Sequence, residues 1–137
     1  MKILVTGANG FIGRNLICHL SEFRQYEILK FTRTDTFETL ASQLEIVDIV
    51  VHLAGENRPE NEELFNQTNF ELTKFICDSL KSTGRRIPLI LASSTQAVQE
   101  NNYGKSKLAA EVEIQQLGLE NGNYVYIYRL PGVFGKW

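Results

Sequence analysis

The chain has 137 residues, 43% of them hydrophobic, and a formal charge of −2. That length suits one globular unit with its own apolar core. The slightly acidic balance argues against a nucleic-acid partner, which calls for a clustered basic surface, and no apolar stretch approaches the length of a membrane span. Cys18 and Cys77 form no CxxC or metal-ligating pattern, so no metal is expected, and both read as reduced, core or semi-buried thiols. Ile3-Leu4-Val5 is too short for a signal-peptide core, which points to the cytoplasm.

Lys2 to Thr6 is predicted as a short buried strand that ends in a glycine-rich loop. From Phe11 to Phe23 apolar residues recur at positions 12, 16, 17, 20 and 23, a helical spacing. A second strand is expected over Tyr26 to Thr32, then a short helix over Thr36 to Leu44 with Phe37, Leu40, Ala41 and Leu44 on one side. Ile46 to Ala54 is nearly all apolar, as in a parallel strand covered on both faces. Glu60 to Ser82 reads as the longest helix, with Leu64, Phe65, Thr68, Leu72, Phe75, Ile76 and Leu80 as its stripe. A strand over Pro88 to Ser94, a helix over Tyr103 to Leu117 and a strand over Tyr124 to Leu130 complete the series. Such alternation predicts an α/β, Rossmann-like, doubly wound parallel sheet. The last strand is expected to lie deep in that sheet. Since a complete sheet of this kind continues beyond it, residues 1–137 read as a partial dinucleotide-binding domain, truncated before the substrate-binding part.

Gly7, Gly10 and Gly13 follow the first strand at three-residue intervals. Their roles would be a tight turn, close backbone approach to a pyrophosphate, and helix–strand packing. The helix opening at Phe11 and Ile12 would turn its free N–H groups and positive dipole end toward the phosphates, with Asn9 in the loop between. The competing reading is an ordinary glycine-rich βα turn. NAD-preferring sites often carry an acid at the end of the second strand; here the strand ends Phe31-Thr32-Arg33. Arg33, helped by Arg14, suits a 2′-phosphate and favours NADP(H), while the nearby Asp35 keeps NAD(H) open.

Tyr103 and Lys107 are one helical turn apart. Reduction of a carbonyl by hydride leaves an alkoxide that needs a proton. A tyrosine supplies it when a neighbouring ammonium lowers its pKa, and the same lysine can hold the nicotinamide ribose. Ser94, at the end of its strand, is the candidate hydroxyl for the substrate oxygen, with Ser93 and Thr95 as neighbours able to take that role.

These residues resemble the extended short-chain dehydrogenase/reductase family of nucleotide-sugar epimerases, dehydratases and reductases. The likeness runs through TGANGFIG, VVHLAG, Asn69, SSTQA, YGKSK with Glu111, and YRLPGVFG. HLAGENRPE, SSTQAVQENNYGKSKLAAE and YIYRLPGVFGKW are similar to a narrower group, the bacterial capsule and O-antigen reductases. Those act with NADPH on a UDP-linked 4-keto-6-deoxy-amino sugar and carry a cupin domain after the reductase part. The resemblance implies Ser94, Tyr103 and Lys107 as catalytic residues and Asn69 as a supporting one. Leu53, Ala54, Gly55, Pro131 and Lys107 would lie along the cofactor, and a homodimer would form through the helices near 61–82 and 103–117.

Three departures stand out. Gly132 replaces an asparagine common in relatives, the third strand between Arg33 and Phe37 is absent or very short, and the substrate-binding remainder and cupin domain are not in this sequence. Thr95 and Gln96 stand where 4,6-dehydratases carry an Asp-Glu pair, so dehydration is not expected. Two alternatives to reduction remain: an epimerase with tightly bound NAD, and a non-catalytic dinucleotide-binding or interaction module. Arg58 is a candidate for a substrate phosphate, or a solvated loop residue.

Overall fold

The computed structural model describes residues 1–56 and 67–135. Five parallel strands, β1 (Lys2–Thr6), β2 (Glu27–Phe31), β3 (Ile49–His52), β4 (Leu89–Ser94) and β5 (Val125–Leu130), form one sheet in the order β2-β1-β3-β4-β5. The order reverses at β1, so the helices fall on both faces. Helix α1 (Phe11–Leu20) packs Leu16, Ile17 and Leu20 on Ile3, Val5 and Val51. On the other face α2 (Phe37–Ile46), α3 (Leu72–Thr83) and α4 (Asn102–Asn121) bury Leu40, Leu44, Ile76, Leu80, Ile114 and Leu117 against Leu4, Val50, Leu89 and Leu91. The crevice at such a reversal point is where open α/β sheets bind ligands.

No strand lies between Phe31 and Phe37, as the sequence predicts. Other boundaries differ for local reasons. Helix α1 ends at Leu20, where Ser21 turns its hydroxyl back onto the Ile17 carbonyl at 2.7 Å; Phe23 lies beyond the helix, beside the rings of His19 and Tyr26. The apolar stretch expected as one long strand divides: Ile46 ends α2, and four residues form β3. Between them Asp48 bonds Lys2 twice, its carboxylate accepting the Lys2 N–H at 2.6 Å and its own N–H donating to the Lys2 carbonyl at 2.8 Å.

Helix α4 extends past Gly118 to Gly122, whose left-handed φ of 78° caps it, and at 20 residues it is the longest described helix. Of the stretch from Glu60 to Ser82, residues 60–66, with Leu64 and Phe65, lie outside the described residues. The described part opens with a π-helical turn, Gln67–Glu71, before α3.

Strand β5 is last in the order of the described sheet, and Tyr126 and Tyr128 on it are half exposed. One further expectation is corrected. Cys18 is exposed on the outer side of α1, and Cys77 alone is a core thiol, pushed up to about 12 by its burial. No helix among the described residues is long and apolar enough to cross a membrane, and they contain no metal-ligating cluster.

Candidate active site

At the end of β1 the chain turns at Gly7, with φ of 66°. A Cβ there would lie 2.7 Å from the Ala54 nitrogen and 2.8 Å from its Cα, so the loop crosses the end of β3 backbone to backbone. A Cβ on Gly13 would overlap the Gly7 carbonyl oxygen, which is how closely α1 packs under the loop. Gly10 caps α1 without a side-chain acceptor, and no acid lies in the first turn. The first N–H groups and the positive helix end are therefore left to an anion.

Above the loop lies a cleft of about 400 Å³, walled by Gly7, Asn9 and Gly10, by Phe31 to Thr34, and by Leu53 to Gly55. Phe11 and Ile12 are half-buried in the first turn of α1, Gly13 is buried beneath the loop, and Pro131 is exposed beyond β5; none of these four lines the cleft. Arg33 does, and its Nη2 meets Glu56 Oε2 at 2.5 Å. Arg14 lines a separate hollow with Cys18 and Lys30. Asp35 folds back on its own turn, accepting from the Thr32 N–H and hydroxyl, both at 2.7 Å. Arg58 lies outside the described residues.

The second half of the site is built at the end of β4. Ser94 is buried and its Oγ accepts the Gln96 N–H at 3.1 Å, capping a 3₁₀ turn, Thr95–Val98. Ser93 donates to Glu111 Oε1 at 2.5 Å, and Thr95 is exposed, so Ser94 is the buried hydroxyl that is not tied to Glu111. Helix α4 starts at Asn102, capped by Asn101, whose side chain accepts the Gly104 N–H at 2.6 Å. A Cβ on Gly104 would strike the Gln96 carbonyl and lie 2.6 Å from that of Gln99. The glycine after Tyr103 thus lets the first turn of α4 press directly on the turn that follows Ser94.

Lys107 is 4% exposed and donates to the Ala92 carbonyl at 2.8 Å. Burial pushes its ammonium down to about 8, against the opposing pull of the Glu111 carboxylate. A Cβ on Gly55 would lie 3.3 Å from Lys107 Nζ and 3.0 Å from Asn69 Oδ1. The bare backbone of Gly55 is therefore the partition between the cleft and these two side chains.

Asn69, buried in the π-helical turn, holds both ends of this arrangement. Its Oδ1 accepts the Glu56 N–H at 2.8 Å, and its Nδ2 donates to the Glu56 carbonyl and to Ser106 Oγ, each at 3.0 Å. Ser106 passes the chain on to the Tyr103 carbonyl at 2.7 Å. Behind it, Thr6 Oγ1 accepts the Ala54 N–H at 3.1 Å and lies 2.6 Å from His52 Nδ1, while His52 Nε2 lies 2.8 Å from Thr73 Oγ1. Thr73 donates to the Asn69 carbonyl at 2.9 Å, so its hydroxyl must accept from His52, which fixes the Nε2–H tautomer. His52 is pushed down to about 3 by burial and then by the charge of Lys107, and is neutral at ordinary pH. Hydrogen bonds thus run from the glycine loop to the helix that carries Tyr103.

Glu111 lies one turn beyond Lys107. Burial pushes its carboxyl up, but hydrogen bonds from Arg129 and Ser93 and the charges of Arg129 and Lys107 outweigh it and hold the group below the usual range. Arg129 grips it with two bonds, of 2.9 and 2.7 Å. Sequence reasoning gave no role to His52, Thr73, Gly104, Ser106 or Arg129. The available signals were a histidine inside an apolar strand and a glycine in the first turn of a helix.

The sequence matches the NAD dependent epimerase/dehydratase family over residues 3–137. It is 53% identical, over its full length, to the UDP-2-acetamido-2,6-beta-L-arabino-hexul-4-ose reductase of Pseudomonas aeruginosa, of which it covers 37%. It is 42% identical to the capsular polysaccharide assembling protein CapF from Staphylococcus aureus, with a TM-score of 0.86, all of this chain covered and 37% of that one. RMD from Pseudomonas aeruginosa, solved with NADPH, shares the fold at a TM-score of 0.79 and 24% identity, over 96% of this chain and 54% of that one. The chain thus spans little more than a third of the length of the first two proteins. With a glycine loop, a reversal-point cleft and a buried lysine behind Gly55, this chain belongs to the NAD dependent epimerase/dehydratase family.

Proposed function

We propose that this chain is the cofactor-binding part of a cytoplasmic reductase. Its reaction is the NADPH-dependent reduction of the 4-keto group of a UDP-linked 6-deoxy-amino sugar, a precursor of surface polysaccharide. The observation that carries the reading is the position of Lys107, whose ammonium stands directly behind Gly55 on the wall of the glycine-loop cleft. The sugar and the pathway are those in the names of the Pseudomonas and Staphylococcus relatives.

The cleft fits a dinucleotide. The loop is bare where a Cβ would fill it, the start of α1 offers unpaired N–H groups, and Arg33 stands on the wall where a 2′-phosphate would favour NADP(H). Gly7, Asn9, Gly10, Ala54 and Gly55 would line it, and NADPH, when bound, supplies the hydride. Tyr103 donates its phenolic proton to the oxygen of the reduced carbonyl, and Ser94 hydrogen-bonds that oxygen. Lys107, charged below about pH 8, lowers the cost of the phenolate left on Tyr103. Asn69 holds the backbone around both halves of the site. A homodimer through α3 and α4 accounts for the half-exposed Leu108 and Val112, one turn apart on α4.

The test has two stages. The chain is first titrated with NADPH and NADH. It is then fused to the remaining length of its Pseudomonas relative and assayed for substrate-dependent loss of NADPH absorbance. Stoichiometric consumption, abolished by Tyr103→Phe while NADPH binding persists, is the expected result. Turnover of sugar with no net consumption of nucleotide would make the protein an epimerase instead. Nucleotide binding without any turnover would leave a binding module.

A further inference from the structure

The rim of the cofactor cleft carries an ion pair whose halves come from different strands. Arg33 follows β2 and is 82% exposed; Glu56 follows β3 and is 19% exposed; their nearest atoms are 2.5 Å apart. The arginine, on a long solvated stem, is the movable partner. The glutamate is held at its backbone, since the buried Asn69 carboxamide bonds both its N–H and its carbonyl. Asp35, the carboxylate nearest Arg33 in sequence, is folded back on Thr32, whereas Glu56 reaches the guanidinium from across the cleft. The acid that pairs with Arg33 therefore comes from the loop after the third strand.

We infer that Glu56 is a cofactor-specificity residue that restrains the preference of this site for a dinucleotide bearing a 2′-phosphate. The inference rests on the reading of the cleft as a dinucleotide site with Arg33 beside the adenine ribose. NADH and NADPH differ there by a hydroxyl against a phosphate. The phosphate must draw Arg33 away from Glu56 or share it, which gathers like charges around one guanidinium. The hydroxyl leaves the pair as it stands. Glu56 thus opposes NADPH and is neutral toward NADH.

The test is a set of dissociation constants for NADPH and NADH, by calorimetry at low salt, for wild type, Glu56→Gln, Arg33→Met and the double variant. Glutamine keeps the length of the side chain and the backbone bonds to Asn69. Glu56→Gln should tighten NADPH by about five-fold, the scale of one exposed charge interaction, and change NADH by less than about two-fold. In the Arg33→Met background that gain should vanish. Equal effects on both nucleotides, or a gain that persists without Arg33, would overturn the inference. A wild-type preference for NADPH that Glu56→Gln leaves unchanged would overturn the role of Glu56 and leave the cleft reading standing. Failure of the wild type to bind either nucleotide would overturn both.

Discussion

The two halves of the site are made by opposite means. On the side of β1 and β3 the cleft is shaped by what is missing: Gly7 and Gly13 bring backbone against backbone, and Gly55 sets its bare backbone against the Asn69 and Lys107 side chains. The other half is shaped by what is buried: Lys107 and Glu111 of α4, with Asn69 of the π-helical turn and His52 of β3 beside them, each at most 4% exposed and each hydrogen-bonded. A glycine cradle costs chain entropy and little else, while a buried ammonium carries a standing desolvation penalty. Burial is also what moves the Lys107 ammonium toward neutral pH.

The contrast can be broken most severely at the glycines. Gly104→Ala and Gly13→Ala each drive a methyl into a backbone carbonyl, and each should cost on the order of 3 kcal/mol or more in denaturant unfolding. Gly84→Ala meets no atom within 4 Å and pays only for its left-handed φ, so about 1 kcal/mol is expected.

His52→Leu comes next. It strips the hydroxyls of Thr6 and Thr73 of a buried partner, and thermal unfolding at pH 7 should show a loss of about 2–3 kcal/mol. The pH dependence sharpens the point. The folded-state pKa of His52 lies below its ordinary 6.5, so the unfolded chain binds the proton first as pH falls. Wild type should lose stability from about pH 6.5 toward 3, by up to about 1.4 kcal/mol per pH unit from this residue. The leucine variant should show a shallower slope over that range.

Lys107→Met tests the opposite end of the scale. The folded pKa of about 8 lies below the ordinary 10.5, so stability should rise between these values as the folded protein sheds the proton first. Below pH 8 both states are charged and the burial cost is felt in full. The methionine variant should lack this rise in urea unfolding followed from pH 8 to 10.5. The smallest effect is expected at the exposed Lys74–Asp78 pair on α3, where Lys74→Ala should leave the urea midpoint close to that of wild type.

Most of the fold was legible in the sequence because strand and helix periodicity, and the glycines between them, are local signals. The glycine loop and the Tyr103–Lys107 spacing were readable for the same reason. The errors lay at element ends: Ile46 closes α2 instead of opening β3, and α4 runs on to Gly122, which takes a left-handed φ where Gly118 does not. The reach of Glu56 to Arg33 and the hydrogen bonds from Thr6 through His52 to Asn69 join residues far apart in the chain. No periodicity announces such contacts.

The most direct measurement is a calorimetric titration of the chain with NADPH. If the glycine cradle and the buried lysine form one dinucleotide site, binding should saturate at one nucleotide per chain, and Lys107→Met should weaken it without unfolding the protein. Absence of saturable binding by the folded chain, or an affinity unmoved by Lys107→Met, would contradict the joining of the two halves into a single site.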